Sequence, residues 1–484
     1  MHPRHPDTRT SRAFPPGFLW GSATASYQIE GATNQDGRTD SIWDAFARVS
    51  GAVLNGDDGS VAADHYNRYR DDVALMRDLN LDAYRFSVAW PRVRPDGGAV
   101  NEAGLDFYSR LVDELLEADI KPWLTLYHWD LPQAIEEQGG WTSRDTAYRF
   151  VDYALSVHEA LSDRVRIWTT LNEPWCSAFL GYASGVHAPG RQEPANSLRA
   201  AHHLLLAHGL ATQEIRKRDG QATLGITLNF TYAEPQNPED DKDIDAARRI
   251  NGLQNRLFLD PVLKGQYPVD ILEDTRDLGW QDVIQTDDLQ IISSPIDALG
   301  INYYNGAQVS GHDQQESVER GPENPSREHY TPYVSAEHVA FPSRGLPVTD
   351  MGWEVQPWGL SDLLKDLHKN YELPPVYITE NGAAYPDEVT GAGADAAVHD
   401  PERLQYIDSH LRAVADAIDA GVDVRGYFVW SLLDNFEWSF GYSKRFGVVY
   451  VDYETQQRIP KDSALWYANV AQNNEVPPLT ESSA

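Results

Sequence analysis

Short apolar runs alternate with amphipathic helical stretches along nearly the whole chain, and this alternation constrains the fold more than any other feature. Strand candidates occupy residues 18–25, 83–90, 122–128, 167–172, 223–230, 298–304, 376–379 and 426–432. Helical patterns separate most of them, over 64–79, 102–118, 144–161, 197–218 and 403–420. Such alternation implies a parallel sheet, because a parallel neighbour is reached only through a crossover, usually a helix. About eight repeats point to an α/β fold closed into a (β/α)8 TIM barrel rather than to an open sheet. The 484 residues would accommodate two or three domains, but barrels of this kind often exceed the usual domain size. No Gly/Ser tract or shift of composition marks a linker. The reading is a single barrel domain with long βα loops over 14–472, between flexible polar or Pro-rich tails at 1–13 and 473–484. One long irregular stretch, 306–348, follows a strand candidate and would form either a rim over the barrel mouth or a plain surface excursion.

Charge and cysteine content narrow the function. Lys plus Arg number 40 against 73 Asp plus Glu, for a formal charge of −33. A surface this acidic repels phosphate backbones and anionic lipid, so neither nucleic acid nor membrane is an expected partner. It favours solubility and predicts tolerance of high salt. The one cysteine, Cys176, excludes an internal disulfide framework and a Cys-rich metal site. The first residues contain no apolar core of a signal peptide, and nowhere do eighteen apolar residues run together. A cytoplasmic protein is expected, as a monomer or a homo-oligomer.

Two glutamates stand at the ends of strand candidates. Glu173 closes the run Val165-Arg-Ile-Trp-Thr-Thr-Leu-Asn-Glu-Pro174, and Glu380 closes Pro375-Val-Tyr-Ile-Thr-Glu-Asn-Gly382. Carboxylates at the C-terminal ends of barrel strands are where such folds display catalytic groups, and a facing pair is the minimum equipment for cleaving a glycosidic bond. Three segments carry a closer resemblance. Phe14-Pro-Pro-Gly-Phe-Leu-Trp-Gly-Ser-Ala-Thr-Ala-Ser-Tyr-Gln-Ile-Glu-Gly31 resembles the N-terminal signature of family 1 glycoside hydrolases, the β-glucosidase family. Thr170-Leu-Asn-Glu-Pro174 resembles its acid/base motif, and Tyr377-Ile-Thr-Glu-Asn-Gly382 its nucleophile motif. The match runs from about residue 14 to 467 with the motifs in the family's order.

The resemblance implies a retaining β-glycosidase that needs no cofactor, with Glu380 as nucleophile and Glu173 as acid/base. It implies that Arg85, in Tyr84-Arg-Phe-Ser87, and Tyr304, in Asn302-Tyr-Tyr304, orient Glu380. A sugar ring needs hydrogen-bond partners around its hydroxyls and an aromatic face beneath its C–H groups. The matching residues are Gln28, His128, Asn172, Glu437, Trp438 and Phe446, with Trp430 as the platform. Trp175 and Trp353 fall on the leaving-group side, where Phe179 and Leu180 would narrow the entrance. Glu437, in Asp434-Asn-Phe-Glu-Trp438, would accept bonds from sugar hydroxyls and repel a 6-phosphate. A small-molecule β-glycoside without phosphate is therefore the expected substrate, hydrolysed with some β-galactosidase, β-fucosidase and transglycosylation activity. A 6-phospho-β-glycosidase, a non-catalytic sugar-binding protein on the same scaffold and a metal-dependent barrel hydrolase are the alternatives.

Other polar residues receive plainer readings. No metal-ligand spacing includes His128, and His202, His203 and His208 read as ordinary helix histidines, so no metal is expected. Cys176 lacks an evident activating base and reads as a lining residue open to thiol reagents. The run Glu239-Asp240-Asp241 reads as a solvated loop.

Overall fold

The computed structural model describes residues 8–312 and 329–479. Eight parallel strands close into a barrel. They are β1 (Leu19–Ala23), β2 (Ala83–Ser87), β3 (Lys121–Tyr127), β4 (Ile167–Asn172), β5 (Thr223–Asn229), β6 (Ala298–Asn302), β7 (Val376–Asn381) and β8 (Val424–Trp430). Each pairs with its neighbour in sequence, and β8 closes on β1. The principal helices between them are α1 (His65–Asp78), α2 (Glu102–Glu117), α3 (Arg144–Leu161), α4 (Pro194–Arg218), α5 (Asp241–Asn251), α6 (Pro357–Asn370) and α7 (Pro401–Asp419), with α8 (Asp462–Asn473) after β8. The eight strand candidates correspond to the eight barrel strands. Helices α5, α6 and α8 escaped the sequence reading, since α5 is strongly polar and α6 opens abruptly at Pro357 after irregular chain.

Packing follows the pleat of each strand. On β2, Tyr84 and Phe86 join the core shared with the helices, while Ala83 joins a separate inner cluster with Trp123 and Phe428. Those two inner aromatics meet edge to face at 5.1 Å inside the barrel. The room comes from small residues: a Cβ on Gly21 would lie 2.5 Å from the Phe428 ring.

The described residues near the two ends of the chain meet each other and helix α7. Arg12–Ala13 pairs antiparallel with Glu475–Val476, and Arg412 from α7 donates to Thr10 O and Pro477 O. Residues 1–7 and 480–484 lie outside the described residues, as does 313–328 within the long insertion. Of that insertion, Ala307–Val309 pairs with Ala233–Pro235, and Pro332 and Tyr333 reach the barrel mouth. Among the described residues no helix is long and apolar enough to cross a membrane.

Candidate active site

Both glutamates reach the mouth through a break in strand regularity. On β4, Trp168 meets His158 of α3 and Thr170 bonds His208 of α4, so strict alternation would turn Asn172 outward as well. A register shift between Thr169 and Asn172 ends the alternation and brings Asn172 inside, and Glu173 follows with a left-handed backbone, φ 44°. On β7, Val376 and Ile378 face the helices, and a second shift between Ile378 and Glu380 turns Glu380 inward. Glu380 thus lies within its strand rather than just after it. Irregularities of this kind recur beside active sites because they re-aim side chains. The left-handed conformation costs a non-glycine residue about 1–3 kcal/mol and persists only where its surroundings over-determine it. Here Glu173 N donates to Thr227 O at 2.9 Å, and Cys176 N donates back to Glu173 O at 2.9 Å.

A cavity of about 200 Å³ opens above the inner cluster. Glu173, Glu380, His128, Tyr304, Trp430, Glu437, Trp438, Phe446, Trp175 and Trp353 all line it. Arg85, Asn172 and Gln28 stand directly behind the wall. Arg85 Nη1 donates to Glu380 Oε1 at 2.7 Å and Nη2 to Asn172 Oδ1 at 2.6 Å. Tyr304 donates its hydroxyl to Glu380 Oε2 at 2.7 Å. Asn302 Nδ2 donates to Glu173 Oε1 at 2.6 Å and to Asn172 Oδ1 at 3.1 Å, with its own carbonyl held by Thr379 Oγ1 at 2.7 Å. The two carboxyls are therefore joined through Asn302, Asn172 and Arg85.

The site's charges are unequal. Burial pushes the Glu173 carboxyl up, and the negative Glu380 pushes it further, to about 8. Burial raises Glu380 too, but Arg85 and the Tyr304 hydroxyl oppose it. With one guanidinium placed against one carboxylate, the proton belongs to Glu173 and the charge to Glu380. Glu437 is also raised to about 8, by burial and by the other two carboxylates. Burial, with Arg85 nearby, keeps His128 neutral. Its Nε2 faces the Asn172 amide at 3.1 Å and so acts as acceptor, which puts the ring proton on Nδ1.

The loop after β8 carries Glu437 and Trp438. Gln28 Nε2 holds it through Asn435 Oδ1 and Phe436 O, both at 3.0 Å. Below it Asp434 is fully buried, accepting from Lys461 at 2.9 Å and from Arg445 at 2.6 Å. Lys444 is engaged elsewhere, with Asp350.

Several expectations are corrected. Phe179 does not narrow the entrance: it is fully buried between Trp175 and Phe258, whereas Leu180 does line the cavity. His202, His203 and His208 are, as expected, ordinary histidines of a helix, buried in α4 with His202 between Tyr267 and Asp288. The acidic run is no free loop, since Asp240 caps α5 by accepting from Lys242 N and Asp243 N. Among the described residues one group, Asp240, Asp243 and His312, brings metal-type ligand atoms within 4.8 Å of one another. It lies outside the cavity lining, and both carboxylates already accept backbone N–H groups. Sequence reasoning missed Asn302, although it belongs to the segment that supplied Tyr304. It also missed Asn229, Gln254 and Tyr333, polar groups in the cavity lining whose only signal is three-dimensional.

Comparison with known proteins agrees with this architecture. The family model for glycosyl hydrolase family 1 matches residues 10–476. A beta-glucosidase A of Thermotoga maritima is 47% identical over 465 residues, covering 96% of this chain and 98% of that protein. A bifunctional beta-D-glucosidase/beta-D-fucosidase of Bifidobacterium breve is 48% identical, covering 94% of this chain and 97% of that protein. The crystal structure of the psychrophilic beta-glucosidase BglU from Micrococcus antarcticus superposes with a TM-score of 0.92 at 58% identity, covering 96% of this chain and 98% of that one.

Proposed function

The chain belongs to glycosyl hydrolase family 1, and we propose that it is a retaining β-glucosidase working through a covalent glycosyl-enzyme intermediate. Its substrates are unphosphorylated β-glucosides: cellobiose, short cello-oligosaccharides and aryl glucosides. The observation that carries this reading is the unequal pair of buried carboxyls in one cavity, Glu380 held by Arg85 and Tyr304 and Glu173 left to keep its proton. Glu380 attacks the anomeric carbon while Glu173 protonates the departing oxygen. Once Glu380 is esterified its charge is gone, Glu173 becomes more acidic, and it can take a proton from the attacking water. Any acceptor hydroxyl that replaces this water gives transglycosylation.

The glycone side supports a free sugar. Gln28 Oε1 and His128 Nδ1 are buried without a partner among the described residues, which is costly unless a ligand hydroxyl satisfies them. Glu437 adds acceptor oxygens, and Trp430 offers its face. A 6-phosphate would enter beside Glu437 with Lys444 already committed to Asp350. The similarity to a bifunctional glucosidase/fucosidase supports trying β-fucosides and β-galactosides as well.

The deciding experiment follows p-nitrophenyl β-glucoside hydrolysis in EDTA by NMR. β-Glucose as the first-formed anomer is expected, and α-glucose would overturn the mechanism. Loss of activity to the chelator would favour a metal-dependent barrel hydrolase, and no activity on this or the matching galactoside would favour the phospho-sugar or binding-protein readings.

Two further predictions arise here. The plot of kcat/KM against pH should fall as pH rises through about 8, because Glu173 must enter protonated. It should also fall on the acid side as Glu380 protonates, and both limbs belong to the pair jointly. A profile flat from pH 6 to 10 would count against the assignment. Glu437→Ala should lower kcat/KM on glucosides about 10²–10³-fold through lost hydrogen bonds that leave sugar hydroxyls unpaired, at about 1–3 kcal/mol each. A change under threefold would remove Glu437 from the glycone site.

A further inference from the structure

Cys176 Sγ lies 3.0 Å from Glu173 Oε2. The contact is built in by the backbone: Cys176 follows Glu173 by one tight turn and opens the π-helix Cys176–Ser184, so its side chain returns over the carboxyl. Asn229 Nδ2 approaches the sulfur from β5 at 3.7 Å. The other carboxyl oxygen, Oε1, is taken by Asn302. Oε2 is therefore the oxygen free to carry the catalytic proton, and the thiol is its neighbour.

We propose that Cys176 is a positioning residue for Glu173, donating its S–H to Oε2 when the carboxyl is ionised and so favouring the state that deprotonates water. The proposal rests on the reading of Glu173 as acid/base. A thiol suits the task because it is both a weak donor and a weak acceptor. While Oε2 holds the proton the sulfur accepts from it, and after the proton leaves the sulfur donates. A donor-only cation in this place, an ammonium or a guanidinium, would keep Glu173 ionised throughout and abolish the first step. Burial and the adjacent carboxylate hold the thiol well above its usual range, so it remains S–H at neutral pH. Facing the same carboxyl from other elements are Glu380 on β7, Arg85 on β2, Asn302 and Tyr304 from β6 and its loop, and Glu437 after β8. None of these changes in the variants below.

The test compares Cys176→Val, which removes the donor and keeps the bulk, with Cys176→Ser, which keeps a donor. On phenyl β-glucoside, a substrate that needs acid assistance, removing a donor to the ionised form raises the Glu173 pKa. The basic limb of kcat/KM in Cys176→Val should therefore move up by about half to one pH unit, while Cys176→Ser stays close to the wild type. On 2,4-dinitrophenyl β-glucoside, which needs no acid, the acid limb of kcat should move up in the same variant. Should Cys176→Val fail to fold, Cys176→Ala gives the same comparison. An unmoved limb, or equal shifts in the Ser and Val variants, overturns the proposal and leaves the thiol as packing. Glu173→Ala assayed on the dinitrophenyl substrate with azide keeps the premise separate. Rescue by azide with an unmoved Cys176→Val limb defeats only the thiol proposal, whereas absence of rescue defeats the acid/base reading itself.

Discussion

Glu380→Gln is expected to lower kcat/KM on p-nitrophenyl β-glucoside by at least about 10⁴-fold, an effect of about 5 kcal/mol or more on the barrier. The substitution preserves size but removes the negative charge that makes the attacking oxygen a nucleophile. It also leaves the Arg85 guanidinium, which is 1% exposed, without its carboxylate. Two losses therefore coincide, and they separate by measurement. A thermal unfolding curve reports the cost of the orphaned guanidinium. Rescue of Glu380→Gly by azide, giving an α-glucosyl azide, reports the missing nucleophile alone. Activity within tenfold of wild type for a folded Glu380→Gln would remove Glu380 from the mechanism. The matching loss in Glu173→Gln should be smaller, about 10²–10⁴-fold, and should shrink as the leaving group becomes better able to depart without a proton.

The second large effect is one of stability and concerns Asp434. This carboxylate lies at the centre of a buried network of three acids and three bases. Asp434 accepts from Lys461 at 2.9 Å and Arg445 at 2.6 Å. Lys461 also bonds Asp387, which Arg403 contacts at 3.0 Å, and Arg403 closes on Asp400. Arg403 further holds Ala383 O, just beyond Glu380, and Arg445 O after the Glu437 loop. The network thus ties together the loops that carry Glu380 and Glu437. Asp434→Ala would leave Lys461 and Arg445 uncompensated, with Lys461 fully buried. The expected cost is about 3–5 kcal/mol in urea unfolding, because a buried charge without its partner loses water and gains nothing in return. A cost under about 1 kcal/mol would show that the network is not a stabilising unit.

The same group has a pH signature. Burial alone would raise Asp434, but Lys461, Arg445 and Arg403 outweigh it and hold the carboxyl below its ordinary value of 3.8. A depressed folded value means that the stabilisation is fully present above about 4 and is lost as pH falls through the lower folded value. Acid unfolding of the wild type below pH 4 should therefore be blunted in Asp434→Asn, which has no such carboxyl to protonate.

Much of this protein was legible before its three-dimensional structure. Strand–helix alternation sufficed for the barrel because a parallel sheet of short, fully buried strands leaves few closed arrangements. Strand limits such as 167–172 coincided with the fold, and the helical stretch 144–161 matched α3 to the residue. Less legible were segments whose pattern is not local. Helix α5 buries only Asp243, Ala246 and Ile250 among mostly charged residues and is held by salt links to Asp270 and Asp274, which local sequence does not announce. Phe179 was misplaced because a π-helix rotates side chains away from the spacing of an ordinary turn.

By itself the sequence determined the barrel, the strand ends on which Glu173 and Glu380 stand, and the residue types grouped around them. Only the tertiary structure decided that Asn302 bonds Glu173 and that the Cys176 thiol touches Oε2. Those facts turn on the register shift in β4, on the turn that opens the π-helix and on a contact with β6 across β5. A strand's apolar pattern is a local property, written in its own residues. The orientation of a buried carboxyl belongs to the closed ring as a whole, since most of its partners arrive from other strands.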